Sequence, residues 1–169
     1  MKKLLCLLLA LVLLLTGCAK PVEKPEPEPE TQAPMVSLYD LRKAMLEAQP
    51  GLPDMTSVSS IDENAAALFT NISDLDYELV EGYYLAYDTN GKTANEFAVV
   101  CLKNEADIPA LVSTLRAHIQ HRENIYRNYS ADQRRLVSTA EIVTEGRYVA
   151  LIICEDRAAV KAAFLEGVR

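Results

Sequence analysis

Tyr77-Glu-Leu-Val-Glu-Gly-Tyr-Tyr-Leu-Ala-Tyr-Asp88 and Thr93-Ala-Asn-Glu-Phe-Ala-Val-Val-Cys-Leu-Lys103 flank Thr89-Asn-Gly-Lys92. Both runs are rich in Val, Tyr, Leu and Phe, the residues that suit a pleated surface. Asn90-Gly91 between them tolerates the positive φ of a type I′ turn, so the segment reads as a β-hairpin. With Thr89 opposite Lys92, Tyr84 faces Phe97 and Val80 faces Cys101. The face with Gly82, Tyr84, Phe97 and Val99 carries no charge, whereas the other carries Glu81 and Glu96. The uncharged face is the expected core side, because alternate residues point to opposite faces.

A second hairpin is expected at Thr139–Thr144 and Arg147–Cys154, turning at Glu145-Gly146. Tyr148-Val-Ala-Leu-Ile-Ile-Cys154 is the most apolar run after the N-terminal segment, which marks a central strand covered on both sides. Between the hairpins, Asp107 to Tyr129 is the longest helical pattern. Ile108, Val112, Leu115, Ile119, Arg122, Tyr126 and Tyr129 form one stripe, broken only by Arg122. Ser113, Arg116, Gln120, Glu123 and Arg127 make the solvated side, with Glu123 and Arg127 paired at i,i+4. Ser130-Ala-Asp-Gln133 is a capping-box pattern that opens a short helix.

Two helices precede the first hairpin. Ser37 caps one that runs through Ala48, with Leu38, Leu41 and Met45 inward and Pro50-Gly51 as the stop. Ser60-Ile-Asp-Glu63 reads as a capping box opening another, with Ala65, Leu68, Phe69 and Ile72. Leu52 to Ser59 reads as loop. Asp156 caps a last helix bearing Val160, Phe164 and Val168. The order α-α-ββ-α-ββ-α implies an α+β domain over residues 37–169. Its expected core is a four-stranded antiparallel sheet of two hairpins with helices mainly on one face.

The N-terminus says where such a domain would live. Lys2-Lys3 precede a leucine run, Leu4 to Leu15, of about 12 residues, too short for the roughly 20 that span a bilayer. It closes on Leu15-Thr-Gly-Cys18, which resembles the lipobox of bacterial lipoproteins. That resemblance implies cleavage after Gly17, acylation of Cys18 and stable anchoring by two chains. Residues 1–17 are then a signal peptide, and removing them from the 169 leaves 152. Residues 18–36 hold the lipidated Cys and a Pro/Glu tether. Its five prolines and four glutamates cannot build a core. Extended at roughly 3 Å per residue, it reaches up to about 50 Å from the bilayer.

Loss of Lys2 and Lys3 takes the formal charge from −7 to −9. An acidic surface is a poor match for polyanions, so no nucleic-acid partner is expected.

The lipobox, the tether, Tyr126-x-x-Tyr129-Ser-Ala-Asp-Gln133 and Thr139–Cys154 with its Glu-Gly-Arg-Tyr turn together resemble an uncharacterised bacterial lipoprotein family, domain of unknown function family 4358. That family carries Arg and Gln about where this chain has His118 and Arg122. The resemblance implies location and architecture but no activity.

Chemistry is sparse. His118-Ile-Gln-His121 holds the only two histidines. They could join Glu123 or a distant acid on a metal, yet zinc sites need three or four ligands, so ordinary helix histidines are the preferred reading. Cys101 and Cys154 lie in apolar strands and read as buried small hydrophobes. A disulfide between them is permitted outside the cytoplasm, where only this pairing exists once Cys6 and Cys18 are assigned. There is no nucleophile elbow, P-loop or Gly-rich dinucleotide loop. Six of the eight tyrosines, Tyr83, Tyr84, Tyr87, Tyr126, Tyr129 and Tyr148, could gather between the first hairpin and the long helix, with core packing the preferred role. Arg122, interrupting an apolar stripe beside His118 and Tyr126, marks a candidate polar pocket.

The expectation is a non-catalytic accessory or binding domain. It would need no cofactor or metal and be held to the extracytoplasmic face of the cell membrane by lipid on Cys18. Its partner would be a protein or a cell-wall component. A small extracytoplasmic hydrolase and a single-cleft small-molecule receptor are the alternatives. A cleft with His118 in hydrogen-bond reach of another titratable group would favour the hydrolase. A broad apolar patch without a cleft would favour protein binding.

Overall fold

The computed structural model describes residues 35–169. The signal segment, Cys6, Cys18 and the tether up to residue 34 lie outside them. Chain order is α1 (Leu38–Glu47), β1 (Met55–Ser59), α2 (Ala65–Phe69), β2 (Val80–Asp88), β3 (Glu96–Leu102), α3 (Ile108–Tyr126), α4 (Ala131–Ser138), β4 (Glu141–Glu145), β5 (Tyr148–Ile153) and α5 (Arg157–Gly167). The architecture is α+β around one antiparallel sheet of order β1-β2-β3-β5-β4.

The sheet has five strands rather than four. The added strand, Met55-Thr-Ser-Val-Ser59, pairs along β2 from Met55↔Asp88 to Ser59↔Tyr84. Every residue in it is half-buried, as suits an edge strand, and its sequence lacks the strong alternation that announces one. Ser59 N–H donates to the Asp62 carboxylate at 2.6 Å, which caps that end of the exposed edge. The expected capping box at Ser60 and Glu63 does not form, since Ser60 N–H continues the pairing with β2 by donating to the Tyr83 carbonyl at 3.0 Å. α2 is only five residues long, and Asn64, at its N-cap, makes no side-chain cap.

Helices cover both faces of the sheet, not mainly one. Alternate residues of β3 and β5 feed two separate cores. Tyr84, Phe97, Val99, Cys101, Ala150 and Ile152 pack under α1 and α5 with Leu41, Met45, Val160 and Phe164. Leu85, Ala98, Val100, Val149, Leu151 and Ile153 pack under α2, α3 and α4 with Phe69, Leu111, Leu115 and Leu136. The runs Phe97–Leu102 and Tyr148–Ile153 are apolar at every position, and such strands are buried on both sides. β5 is interior, between β3 and the edge strand β4, and covered on both faces as its composition implies, while β3 holds the centre of the sheet.

The first hairpin has a register two residues longer near its loop, where Tyr84 pairs with Val99. A bulge between Val80 and Gly82 leaves Val80 opposite Leu102, one residue from the expected Cys101. The two-residue slip keeps Gly82, Tyr84, Phe97 and Val99 on one face, whereas the bulge turns Val80 into the other core with Leu102. No type I′ turn forms, because Gly91 alone has positive φ (62°) and a I′ turn needs it at both central residues. The Asp88 carboxylate instead accepts from Asn90 N–H (2.9 Å) and Thr93 N–H (2.7 Å), drawing the chain into a wider loop closed by Asp88 N–H on the Asn95 carbonyl (3.3 Å). The second hairpin turns at Gly146, with Glu145 opposite Tyr148.

The remaining helix signals hold. Ser37, Ser130 and Asp156 accept from backbone N–H of Asp40, Gln133 and Ala159 respectively. Gln133 does not complete a capping box; its side chain reaches the first hairpin's loop instead.

Candidate functional site

α3 crosses the sheet with Leu111 and Leu115 fully buried. Continuing that row at steps of three and four brings His118, Arg122 and Tyr126 onto the same side of the helix. The row becomes polar where it passes Glu96, the first residue of β3. Glu96 is only 3% exposed. A carboxylate taken out of water at such a site is costly unless paired. Here His118 Nε2 lies 2.6 Å from Oε1 and Arg122 Nε 3.1 Å from Oε2. Arg122 Nε is nonetheless buried without an aligned hydrogen bond, so its contact with Glu96 is a charge pair rather than a directed bond. The guanidinium also lies over the Tyr126 ring, 5.3 Å from its centroid.

Tyr126 ties the helix to the hairpin loop, donating from its hydroxyl to the Thr93 carbonyl at 2.8 Å. Burial pushes its phenol above the ordinary value, with the nearby Arg122 partly countering. Ala94 N–H donates to Gln133 Oε1 at 2.7 Å, which fixes the loop to α4. Burial alone would raise the Asp88 carboxyl, but the N–H groups of Asn90 and Thr93 outweigh it and hold the group below its usual value. The loop is therefore pinned at Asp88, Thr93 and Ala94.

Between this loop, α3 and the segment after α2 lies a half-open cleft of about 590 Å³. Its apolar lining is Ile72, Leu85, Tyr87 and Ile125; its polar lining includes Asn71, Glu96, His118, His121 and Arg122. A shallower hollow of about 470 Å³ continues past Asn71, His118 and His121 to Ser73 and Thr114. The Ser73 and Thr114 hydroxyls are 2.6 Å apart, and Thr114 donates to the Leu111 carbonyl, which makes them a stitch between α3 and the preceding loop.

The candidate pocket residues His118, Arg122 and Tyr126 thus come together, with His121 on the exposed rim. Glu123 turns away to Arg134 (3.7 Å), and Arg127 bonds Asn124 instead of pairing with Glu123. Among the described residues no group of three or more His, Cys, Asp or Glu is placed to hold a metal. Cys101 and Cys154 are free and buried on the opposite face of the sheet from His118. Burial pushes the Cys154 thiol up to about 12. The tyrosines do not form one cluster: Tyr83 packs with Phe69 and Tyr77, Tyr84 and Tyr148 lie on the other face, and Tyr126 meets Tyr129. The residue that organises the site, Glu96, was assigned to solvent. Its signal was a lone acid at the head of Phe97-Ala-Val-Val-Cys-Leu102.

The profile of a domain of unknown function (DUF4358) matches residues 52–154, from just before β1 to just past β5. The chain belongs to this family. The match covers the whole sheet and the cleft, and leaves α1 and α5 outside. No curated protein and no solved structure matches. Among the described residues of this DUF4358 protein no helix is long and apolar enough to cross a membrane.

Proposed function

We propose that this DUF4358 protein is a lipid-anchored, extracytoplasmic binding domain whose ligand seats in the cleft between α3 and the Asp88–Asn95 loop. The observation that carries this reading is the buried Glu96 holding His118 and Arg122 at the wall of a cleft of about 590 Å³. That volume lies within the range of small-molecule sites, and the mixture of an apolar floor with a few convergent polar groups is usual for them. The lipobox-like Leu15-Thr-Gly-Cys18 and the Pro/Glu stretch behind it supply the anchor and the reach.

The test is extraction of the protein from its native membrane, followed by mass spectrometry of small molecules released on unfolding. One compound should accompany the wild type and be depleted at least tenfold in Arg122→Gln. Equal recovery of every compound with both proteins would reject the cleft as the site. Cys18→Ala should abolish membrane retention or leave the precursor unprocessed, and normal cleavage with full retention would reject the lipid anchor.

A hydrolase reading has one observation in its favour, the 2.6 Å contact of His118 with Glu96, the form in which a carboxylate orients a general base. Arg122 shares that carboxylate, and both described cysteines lie across the sheet, so such a base would act on water or a hydroxyl rather than a thiol. Turnover of a peptide or wall substrate that disappears in His118→Gln would establish it.

A further inference from the structure

The cleft's hydrogen-bonding capacity is lopsided. It is lined by two carboxylates, and the oxygens of both are engaged. Asp88 Oδ1 and Oδ2 accept from Asn90 and Thr93 N–H, while Glu96 Oε1 and Oε2 face His118 and Arg122. Donors are in surplus. Arg122 carries five N–H donors; its Nε is buried against Glu96, but the side chain, 20% exposed, lines the opening. His118 spends one ring nitrogen on Glu96, and His121 and the Asn71 amide stand exposed at the rim. His121 and Arg122 lie three and four positions beyond His118 on α3, and all three line the same opening. A ligand entering here meets Arg122, His118 and His121 together, while each oxygen of the two carboxylates already faces one donor.

Resting on the cleft reading above, we infer that the site takes its ligand by an oxyanion, carboxylate or phosphate, set against Arg122 with His118 and His121, and by an apolar body laid on Ile72, Leu85 and Ile125. Arg122 is suited to this role because its planar fork matches such groups and its guanidinium lies over the Tyr126 ring, 5.3 Å from the centroid. Glu96 and Asp88 place negative charge beside this opening. The oxyanion is therefore set on the Arg122 and His121 side, away from the Glu96 carboxylate, whose side chain is 4% exposed and turned on His118 and Arg122.

The chain has only two histidines, and both line the cleft. Imidazole resonances therefore report this site alone. The full chain is titrated with butyrate, butyl phosphate, butanol and butylamine, four probes that share one apolar body. Saturable shifts of both imidazoles are expected with butyrate, butyl phosphate or both, and the better of these two identifies the oxyanion. Butanol and butylamine should bind at least tenfold more weakly. Arg122→Gln should weaken the better probe about tenfold, with Arg122→Lys intermediate. His121→Gln, at an exposed position that folding does not depend on, should weaken it several-fold and keeps the test open if Arg122→Gln does not fold. Butylamine or butanol binding as well as the anions would overturn the oxyanion inference while leaving a binding cleft in place. So would full affinity in both Arg122→Gln and His121→Gln. Absence of any shift with all four probes would overturn it too; the compound-recovery experiment then decides the cleft separately.

Discussion

Glu96→Gln removes one charge and changes little else, so it isolates what the buried carboxylate does. The amide keeps the shape of the side chain and can still accept from His118. It loses the negative charge that Arg122 faces at 3.1 Å. Breaking a buried pair by removing one partner costs roughly 3–5 kcal/mol, because a charge is left uncompensated. Arg122 is 20% exposed and lies over the Tyr126 ring at the cleft wall, so it can turn partly toward water, which lowers the figure. A loss of about 2–3 kcal/mol is expected, within the range for hydrogen bonds to charged groups. For a folded region of this size that corresponds to a fall in Tm of roughly 6–12 °C. Urea unfolding with the slope held common, checked by calorimetry, reads the loss directly. A double-mutant cycle with Arg122→Gln separates the pair from incidental packing, and its coupling should exceed about 1 kcal/mol. A single-mutant change within about 0.5 kcal/mol, or additive mutations, would mean that Glu96 does not hold the cleft wall, and the reasoning about the site would fail with it.

Other outcomes follow from the same contacts. Asp88→Asn should lower stability at neutral pH and flatten the acid limb. A carboxyl held below its unfolded value stabilises above that value, about 3.9, and the contribution is lost as pH falls through the folded value. Urea midpoints between pH 7 and 3 that track the wild type throughout would contradict this. In a chain carrying Cys6→Ser and Cys18→Ser, a thiol reagent at pH 8 should leave Cys101 and Cys154 unmodified until denaturant is added, since both are fully buried and their thiols are raised by burial. Rapid native labelling would show that face of the sheet to be open. Phe164→Ala should cost about 3–5 kcal/mol in denaturant unfolding by emptying the core under α5, and a loss below 1 kcal/mol would show that α5 is not integral to it.

How far the sequence discloses this fold depends on which force shaped each segment. Helix starts were legible at Ser37, Ser130 and Asp156 because capping is local, a matter of one side chain and an N–H two or three residues on. β5 was legible because an unbroken apolar run admits few placements. β1 was not, since an edge strand of Thr and Ser takes its identity from β2 and has no strong pattern of its own. The first turn misled for a related reason. Asn90-Gly91 favours a tight turn locally, but Asp88 offered two N–H groups a carboxylate and won the wider loop. The helical half of the site was visible, since Arg122 interrupts an apolar stripe. Its counterpart Glu96 was hidden by an assumption. Charge on one face of the hairpin suggested solvent there, whereas the acid belongs to a second core and is neutralised by residues more than twenty positions away.

Burial of both faces of the sheet bears on what the cleft can be. A sheet with one solvated face would leave α3 free to drift, and His118 and Arg122 would be ordinary surface side chains. Because both faces are buried, α3 is clamped on the sheet by Leu111 and Leu115, and the next turns of the same helix must place their polar groups against whatever β3 presents at its start. Glu96 faces both His118 and Arg122 there, and in doing so it fixes two donors at the edge of an opening. Stability and recognition are therefore carried by the same side chain, which is the condition for a precise site on rigid elements. It follows that substitutions at Glu96 will confound folding with binding, whereas His121, outside the core and on the rim, can change recognition alone. The contrast between those two positions is the sharpest available separation of scaffold from site.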